Sequence, residues 1–546
     1  MTEAASDKLT SGVYPRTTMQ TYAAIDIGSN SCRLKIARVA QHRLKVLHED
    51  REVTRLGASV FESGLISPQA MADTLAALKR FYRSVQEFGV DQVRAVATSA
   101  MRDARNARAF LAWVRDEIGW EVEIISGLEE GRLIHAGVMG VGMTGAGMAG
   151  GGEPIPGSCL LIDVGGGSCE ISRSEHKRIQ DTVSLPLGAV RLTQEFLASD
   201  PPLPEEIARM RQFIARELRR AERRNLAALV TTVLATSGTA AALAESSKSL
   251  VKTRPAKSVG KAAAKVDPNL IPTRSVRRLA EKLTKLDNAA RAAIPGIGPK
   301  RSEIIVAGAH VFAEMLERLA LPGFSYSPMG LRDGILAQML AQRDERAPAH
   351  EIFERERWEG VLETCLRYGV DPKLAQPVCD HASQLFRDLQ RVHELPPEYL
   401  DWLRAAAMLR DIGKFMNYQG HHRHAQYIIA NSELYGFTPQ QRAVTSAIAR
   451  YLGKSRPAAE GRTMRQIPPP DHEPVRRAVV LLRLAVALNQ DRASDVLRVT
   501  ARVYPKRVIL ELTPGRTGAE LELWSLRKEA DYFFEVFRRE LLVTLE

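Results

Sequence analysis

Hydrophobic positions along the chain alternate between two periods. From Thr21, the run TYAAIDIGSNSCRLKIARV reads as a strand, a turn of small residues and a second strand. Ser67 precedes Met71, Leu75, Leu78, Phe81 and Val85, a spacing that predicts a helix from Pro68 to Phe88 with Ser67 as its cap. VRAVATSA, from Val93, is a strand ending in small residues. A helix over 106–118, a strand at EVEIIS and a helix from Glu129 to about Val138 follow, and GSCLLIDVGGGSCEIS reads again as strand, turn, strand. Strand pairs with intervening helices predict an α/β protein.

The second strand-turn-strand unit nearly repeats the first. AAIDIGSNSCRLKIA and LLIDVGGGSCEIS place Asp26 and Asp163 at matching positions 137 residues apart, which suggests a duplicated domain. Two segments look inserted: the Gly- and Met-rich stretch 137–157 and the Ala-, Lys- and Ser-rich stretch 246–274. After Ala347 the pattern is helical almost to Arg492, and from Val499 it reads strand, turn, strand, helix. We therefore expect a polar tail over 1–19, α/β domains over 20–136 and 137–345, a helical domain over 346–497 and a small α+β segment over 498–546.

Composition narrows the class. The 546 residues are 45% hydrophobic and 26% charged, values of a globular chain of several domains. The apolar run AVVLLRLAVAL at 478–488 contains Arg483 and is too short to span a bilayer, so no membrane partner is expected. The N-terminal stretch has acidic residues and no apolar core, and the five cysteines (Cys32, Cys159, Cys169, Cys365, Cys379) include no CxxC pair. A cytoplasmic protein without a disulfide framework is the expectation. The net charge of +12 favours an anionic partner. Between Lys248 and Arg278, nine Lys or Arg stand against Asp267 alone, so most of that charge lies in one segment. We read 248–278 either as a non-specific polyanion contact or as a solvated linker.

The two turns carry the candidate chemistry. Gly165, Gly166 and Gly167 remove every Cβ from a tight turn, so backbone N–H groups can converge on an oxyanion, and Ser168 adds a hydroxyl. Gly28, Ser29 and Asn30 offer a second such turn. Each begins with a carboxylate, Asp26 or Asp163, and paired carboxylates facing bound phosphates suit a hydrated Mg²⁺ or Mn²⁺.

With these turns stand VATSAMRDARN, EIISGLEEGRLIHAGV, SLPLGAVRLT, LATSGTAAAL, IPGIGPKRSEIIVAGA and GLRDGIL. In this order the motifs resemble the exopolyphosphatase and guanosine pentaphosphate phosphohydrolase (Ppx/GppA) family of the actin-like ATPase superfamily. The resemblance implies two actin-like, ribonuclease H-like domains flanking a phosphate-binding cleft, an all-α HD-like domain behind them, and Mg²⁺-dependent hydrolysis of terminal phosphoanhydride bonds. It aligns Glu130 with the catalytic base, Glu129 being the alternative if the register is off by one. Asp163 and Glu170 look like the metal and water-orienting carboxylates, with Asp26 facing them. Arg102 is implied as a phosphate ligand, Ser237, Gly238 and Thr239 as a third phosphate or nucleotide turn, and Arg191 as a weaker contact. Glu303 and Asp333 stand where the family pattern leads us to expect Asp and Glu.

LRAAAMLRDIGKFMNYQGHHRHAQYII resembles an HD-type domain, with His381 and Asp411 in ligand positions. Arg410 replaces the expected His, and Asn489 stands where an Asp is usual, with Asp491 nearby. Arg has no free lone pair for a metal, so we read this domain as architectural and as support for a homodimer, and its His421, His422 and His424 as structural or phosphate-contacting. The expected activity is an exopolyphosphatase acting on inorganic polyphosphate. The alternatives are a guanosine pentaphosphate 5′-phosphohydrolase and a non-hydrolytic sensor of polyphosphate or nucleotide.

Overall fold

The strands beside each glycine turn order two sheets with the same plan. The computed structural model describes residues 20–139, 157–251 (248–251 as backbone only), 269–453, 455–490, 497–514 and 518–545. The first sheet contains β1 (Thr21–Ile27), β2 (Ser31–Ala40), β3 (Arg43–Val53), β4 (Gln92–Ala97) and β5 (Val122–Ile124), in the order β3-β2-β1-β4-β5. β1 pairs antiparallel with β2 and parallel with β4. The second contains β6 (Ser158–Val164), β7 (Cys169–Glu175), β8 (Arg178–Leu185), β9 (Thr232–Thr236), β10 (Leu270–Pro272) and β11 (Gly323–Tyr326), in the order β10-β11-β9-β6-β7-β8. Its five strands β8-β7-β6-β9-β11 repeat the first sheet, and β10 is an added antiparallel edge. The central strands β1 and β6 are almost wholly buried, as strands covered on both faces must be.

Two helices depart from the expected domain cut. Helix 127–138, expected with the first domain, packs on β7 and β8, while helix 331–341, expected with the second, packs on β1. Ile335, Leu336 and Met339 share a buried cluster with Tyr22, Ala24 and Val96. The two helices also touch closely: a Cβ on Gly137 would lie 2.2 Å from the Gly330 carbonyl oxygen, and one on Gly334 would lie 1.8 Å from that of Leu133. Gly137 is therefore a helix-packing residue and not the start of a loop. Lys35 of β2 reaches Asp333 at 2.6 Å, both side chains being almost fully buried, which ties the returning helix to the first sheet. The stretch expected as a loop over 246–274 begins inside helix 237–251 and ends with β10 and the start of helix 273–284. The body of both expected insertions, 140–156 and 252–268, lies outside the described residues, as does the tail 1–19.

The chain divides into one compact unit up to Glu351 and a second from Ile352. The second unit is mainly helical up to Ala487, and its final sheet consists of β12 (Arg498–Val503), β13 (Arg507–Thr513) and β14 (Glu540–Leu545). Helix 520–537 carries the chain over so that β14 lies parallel to β13, a third strand beyond the expected strand, turn, strand, helix. Leu403, Val479, Leu510 and Phe533 belong to one buried cluster, so the helices and the segment from 498 share a single core. Among the described residues no helix is long and apolar enough to cross a membrane. All five cysteines are unpaired and buried.

Candidate active site

The duplicated hairpins close in the same way. Gly28 N–H donates to the Ser31 carbonyl at 3.2 Å, and Gly165 N–H to that of Ser168 at 3.0 Å. Register makes the match exact to the residue: Asp26 sits opposite Arg33, and Asp163 opposite Glu170. The turns approach each other so tightly that a Cβ on Gly166 would lie 2.9 Å from Ser29 Cβ, and one on Gly167 2.8 Å from Ser29 Oγ. Glycine is thus required here by the neighbouring turn.

Between them opens a cavity of about 670 Å³. Its wall brings together Asp26, Glu130 and Asp163, the turn Gly28, Ser29 and Asn30, the turn Gly165 to Ser168, and the third turn Ser237, Gly238 and Thr239. Arg102 and Glu170 stand behind this wall. Arg102 donates to Glu130 Oε2 at 3.0 Å and to the Ile125 carbonyl at 2.7 Å, and lies 3.5 Å from Ser168 Oγ. Glu170 accepts from Ser184 Oγ at 2.8 Å. Glu129 turns away into a two-pronged pair with Arg132, both contacts at 2.8 Å, so helix rotation puts Glu130 in the cavity.

Burial governs the acids. It raises Glu130 above the usual carboxylate range against the pull of Arg102. Glu170 is raised well above that range by burial, reinforced by Glu130 and Asp163. Asp163 is pushed up to about 6 by burial, with Arg33 opposing and Asp26 adding, and burial likewise raises Asp26. Such a cluster of reluctant carboxylates marks a functional site. Asp163 Oδ1 and Glu170 Oε2 are buried and find no hydrogen-bond partner among the described residues. No three His, Cys, Asp or Glu among the described residues are grouped so as to hold a metal by themselves. The orphaned oxygens nevertheless fit a divalent ion of the Mg²⁺ kind, which is usually held by one or two carboxylates, water and substrate phosphates.

Four arginines absent from the sequence reading of the site line the same cavity: Arg33, Arg51, Arg301 and Arg332. Arg51 Nε and Nη2 are buried without a partner among the described residues. Burial, with Arg33 and Arg332 beside it, brings Arg51 down to about 10. Burial brings Arg301 down to about 9, helped by Arg51 and Arg33. Like charges held this close call for an anion. Gly238 makes room for one of them, since a Cβ there would lie 1.7 Å from Arg301 Nη2. Its neighbour Ser237 holds a φ of 91° at the strand–helix junction, a conformation that costs a serine about 1–3 kcal/mol and is tolerated mainly at functional turns.

The Ppx/GppA phosphatase family profile matches residues 35–343, and that of the Ppx/GppA phosphatase domain III matches 357–530. The chain belongs to the Ppx/GppA phosphatase family. Among solved structures, an exopolyphosphatase from Cytophaga hutchinsonii is 26% identical with a TM-score of 0.52, covering 60% of this chain and 99% of its own. An exopolyphosphatase-like protein is 27% identical with a TM-score of 0.51, covering 59% and 97%. A Ppx/GppA member from Aquifex aeolicus is 29% identical with a TM-score of 0.47, covering 60% and 99%. The two α/β domains are therefore the actin-like pair of this family, and the helical unit carries its domain III.

Within the Ppx/GppA framework, several expected contacts find other partners. Arg191 donates to the Gly167 carbonyl at 2.8 Å, pairs with Asp103 and stacks 4.1 Å from the Phe61 ring centroid. It braces the glycine turn and does not line the cavity. Glu303 pairs with Arg55 at 3.0 Å on an exposed rim. Asp333 accepts from Gly330 N–H at 2.9 Å as well as from Lys35. In the HD-like domain, Asp411 is engaged by Lys414 at 2.8 Å, His421 at 3.5 Å and Arg410 at 3.6 Å. Although burial opposes them, Arg410 and Lys414 hold this carboxyl below its usual range. Burial lowers His381, and Asp491 lies outside the described residues. In the described part of the basic segment, Arg277 is bound to Glu314 at 3.0 Å and to Glu317, so this cation is already paired.

Proposed function

We propose that this Ppx/GppA phosphatase is an exopolyphosphatase that removes orthophosphate from the end of inorganic polyphosphate. The observation that carries this reading is the group Arg33, Arg51, Arg301 and Arg332 in the wall of the cavity that also holds Glu130. A chain of repeating anions offers a phosphate to each guanidinium, and arginine forks match phosphate oxygens in pairs.

In this reading the backbone N–H groups of the two glycine turns hold the terminal phosphate and neutralise charge on its equatorial oxygens. Glu130 accepts a proton from the attacking water while Arg102 fixes its carboxylate. The oxygen of that water bonds to the terminal phosphorus, the bond to the bridging oxygen breaks, and the shortened chain leaves with the bonding electrons. Asp26, Asp163 and Glu170 are the residues that would hold Mg²⁺ or Mn²⁺. When bound, the ion supplies Lewis-acid neutralisation of the phosphoryl charge. Glu170 is bonded to Ser184 through one oxygen and would turn its unpartnered one to that ion, taking no direct part in the bond change.

Turnover on long-chain polyphosphate compared with turnover on guanosine pentaphosphate tests the proposal. We expect a higher kcat/KM on polyphosphate. A large preference for the nucleotide would reassign the cavity to it, and absence of hydrolysis of either would make the protein a binder.

A further inference from the structure

The second compact unit contains a pocket that the proposed reaction does not use. It has a volume of about 320 Å³ and is lined by Arg456, Arg476, Arg538, Tyr532, Glu473 and Glu535. Three permanent cations face two carboxylates there, so the pocket carries an excess of positive charge. Glu535 is taken up by Arg456, and Glu473 lies 3.9 Å from Arg476. Arg538 is left with neither acid as an ion-pair partner among the described residues.

The decisive group is Tyr532. The residue is 3% exposed, and its hydroxyl is buried without a hydrogen-bond partner among the described residues. A buried hydroxyl that makes no bond costs roughly 1–3 kcal/mol, and the residue that carries this one lines the pocket. Burial pushes the phenol up to about 12, so it remains a donor at neutral pH. The guanidinium carbons of Arg456 and Arg483 lie 4.8 and 5.2 Å from its ring centroid, which holds the ring in place and adds to the positive field. Arg483 is itself fixed by Glu529 at 2.6 and 3.0 Å.

Arg538 supplies an independent sign. It closes helix 520–537 with a φ of 54°, the left-handed conformation in which glycine or asparagine is the usual residue. The backbone there would be served better by glycine. An arginine at this position places a guanidinium at the pocket at the expense of the cap.

We propose that this pocket is a binding site for a small phosphate-bearing anion, with Tyr532 donating to a phosphate oxygen and Arg538 and Arg476 pairing with its charge. Free orthophosphate and the end of a short phosphate chain share this chemistry. The site is separate in sequence from every residue of the proposed catalytic cavity, and it does not depend on the identity of the substrate hydrolysed there.

Hydrogen–deuterium exchange on the full chain tests the site, with orthophosphate and methylenediphosphonate as probes and chloride at matched ionic strength as control. Methylenediphosphonate resists hydrolysis between its phosphorus atoms and so reports a chain end. At a probe concentration about ten times the dissociation constant, exchange over 530–539 should slow about tenfold through linkage. Protection by orthophosphate alone would identify the free ion, and stronger protection by the diphosphonate would identify a chain end. Arg538→Gly, which relieves the left-handed residue and should leave the fold at least as stable, should abolish this protection. Tyr532→Phe should weaken it. Protection confined to cavity peptides in the wild type, or unchanged protection in Arg538→Gly, would overturn the proposal.

Discussion

Arg102 donates to Glu130 Oε2 at 3.0 Å and lies 3.5 Å from Ser168 Oγ. One guanidinium thus spans from the acid on helix 127–138 to the glycine turn of the second sheet. Glu130 is held in a fixed orientation with its charge partly compensated, as the proposed role of base requires. Glu130→Gln keeps the size and the hydrogen bond but removes the base. It should lower kcat by about 10² to 10⁴, with KM changed far less and the thermal unfolding curve intact. Steady-state kinetics on polyphosphate read this directly, and turnover equal to wild type would remove Glu130 from the reaction.

The same pair sets a pH dependence. Burial raises Glu130 and Arg102 pulls it back down. With Arg102→Met the pull is gone, so Glu130 should hold its proton to higher pH. The acid limb of the kcat profile should therefore move upward by about 1 unit. A loss of activity with an unshifted limb would show that Arg102 serves phosphate binding and not the acid.

The residues that were legible in the sequence share a property: each lies in a local motif whose geometry repeats. Asp26 and Asp163, with their glycine turns, announce themselves through duplication, and the hairpins close identically. Glu130 was separable from Glu129 by a signal present in the sequence, since Arg132 three residues on takes Glu129 as its helical neighbour. Arg51, Arg301 and Arg332 were not legible because they come from three distant segments and meet only when the two sheets face each other. The exchange of helices 127–138 and 331–341 between the sheets is likewise a matter of connection, which order along the chain does not encode. β14 was missed because ELLVTL follows a helix without a Gly or Pro between them, the break being made by Arg538 in a left-handed conformation.

Arg301 occupies the space that a side chain at residue 238 would need. Gly238→Ala should therefore displace the guanidinium and reproduce Arg301→Ala. Losing one charge-assisted contact to phosphate is worth about 1.5–3 kcal/mol, so both variants should raise KM for long-chain polyphosphate about tenfold or more. kcat should change less, because Arg301 is assigned to holding the chain and not to the reacting phosphorus. The rise of KM with added salt should also be shallower in both than in wild type, since one screened attraction is missing. A normal KM in Gly238→Ala, with Arg301→Ala impaired, would mean that the turn yields while Arg301 keeps its place.

Asp163 links the chemistry to stability. Its carboxyl is pushed up to about 6 from an ordinary value near 3.8, chiefly by burial. For an acid raised on folding, the stabilising contribution is fully present below the unfolded value and is lost as pH rises through the folded one. Metal-free protein should accordingly lose stability between about pH 4 and 6 on account of this group and carry the deficit at pH 8. Asp163→Asn removes the charge while keeping the shape, so it should stabilise the metal-free chain at pH 8 by about 1–3 kcal/mol, a gain that fades toward pH 4. Added Mg²⁺ should reverse the order, raising the melting temperature of the wild type more than that of the variant, because the orphaned Asp163 oxygen is then put to use. Activity of Asp163→Asn should fall in the same experiment. Equal response of both proteins to Mg²⁺, with the stability gain present, would keep Asp163 as a buried acid and take it out of the metal site.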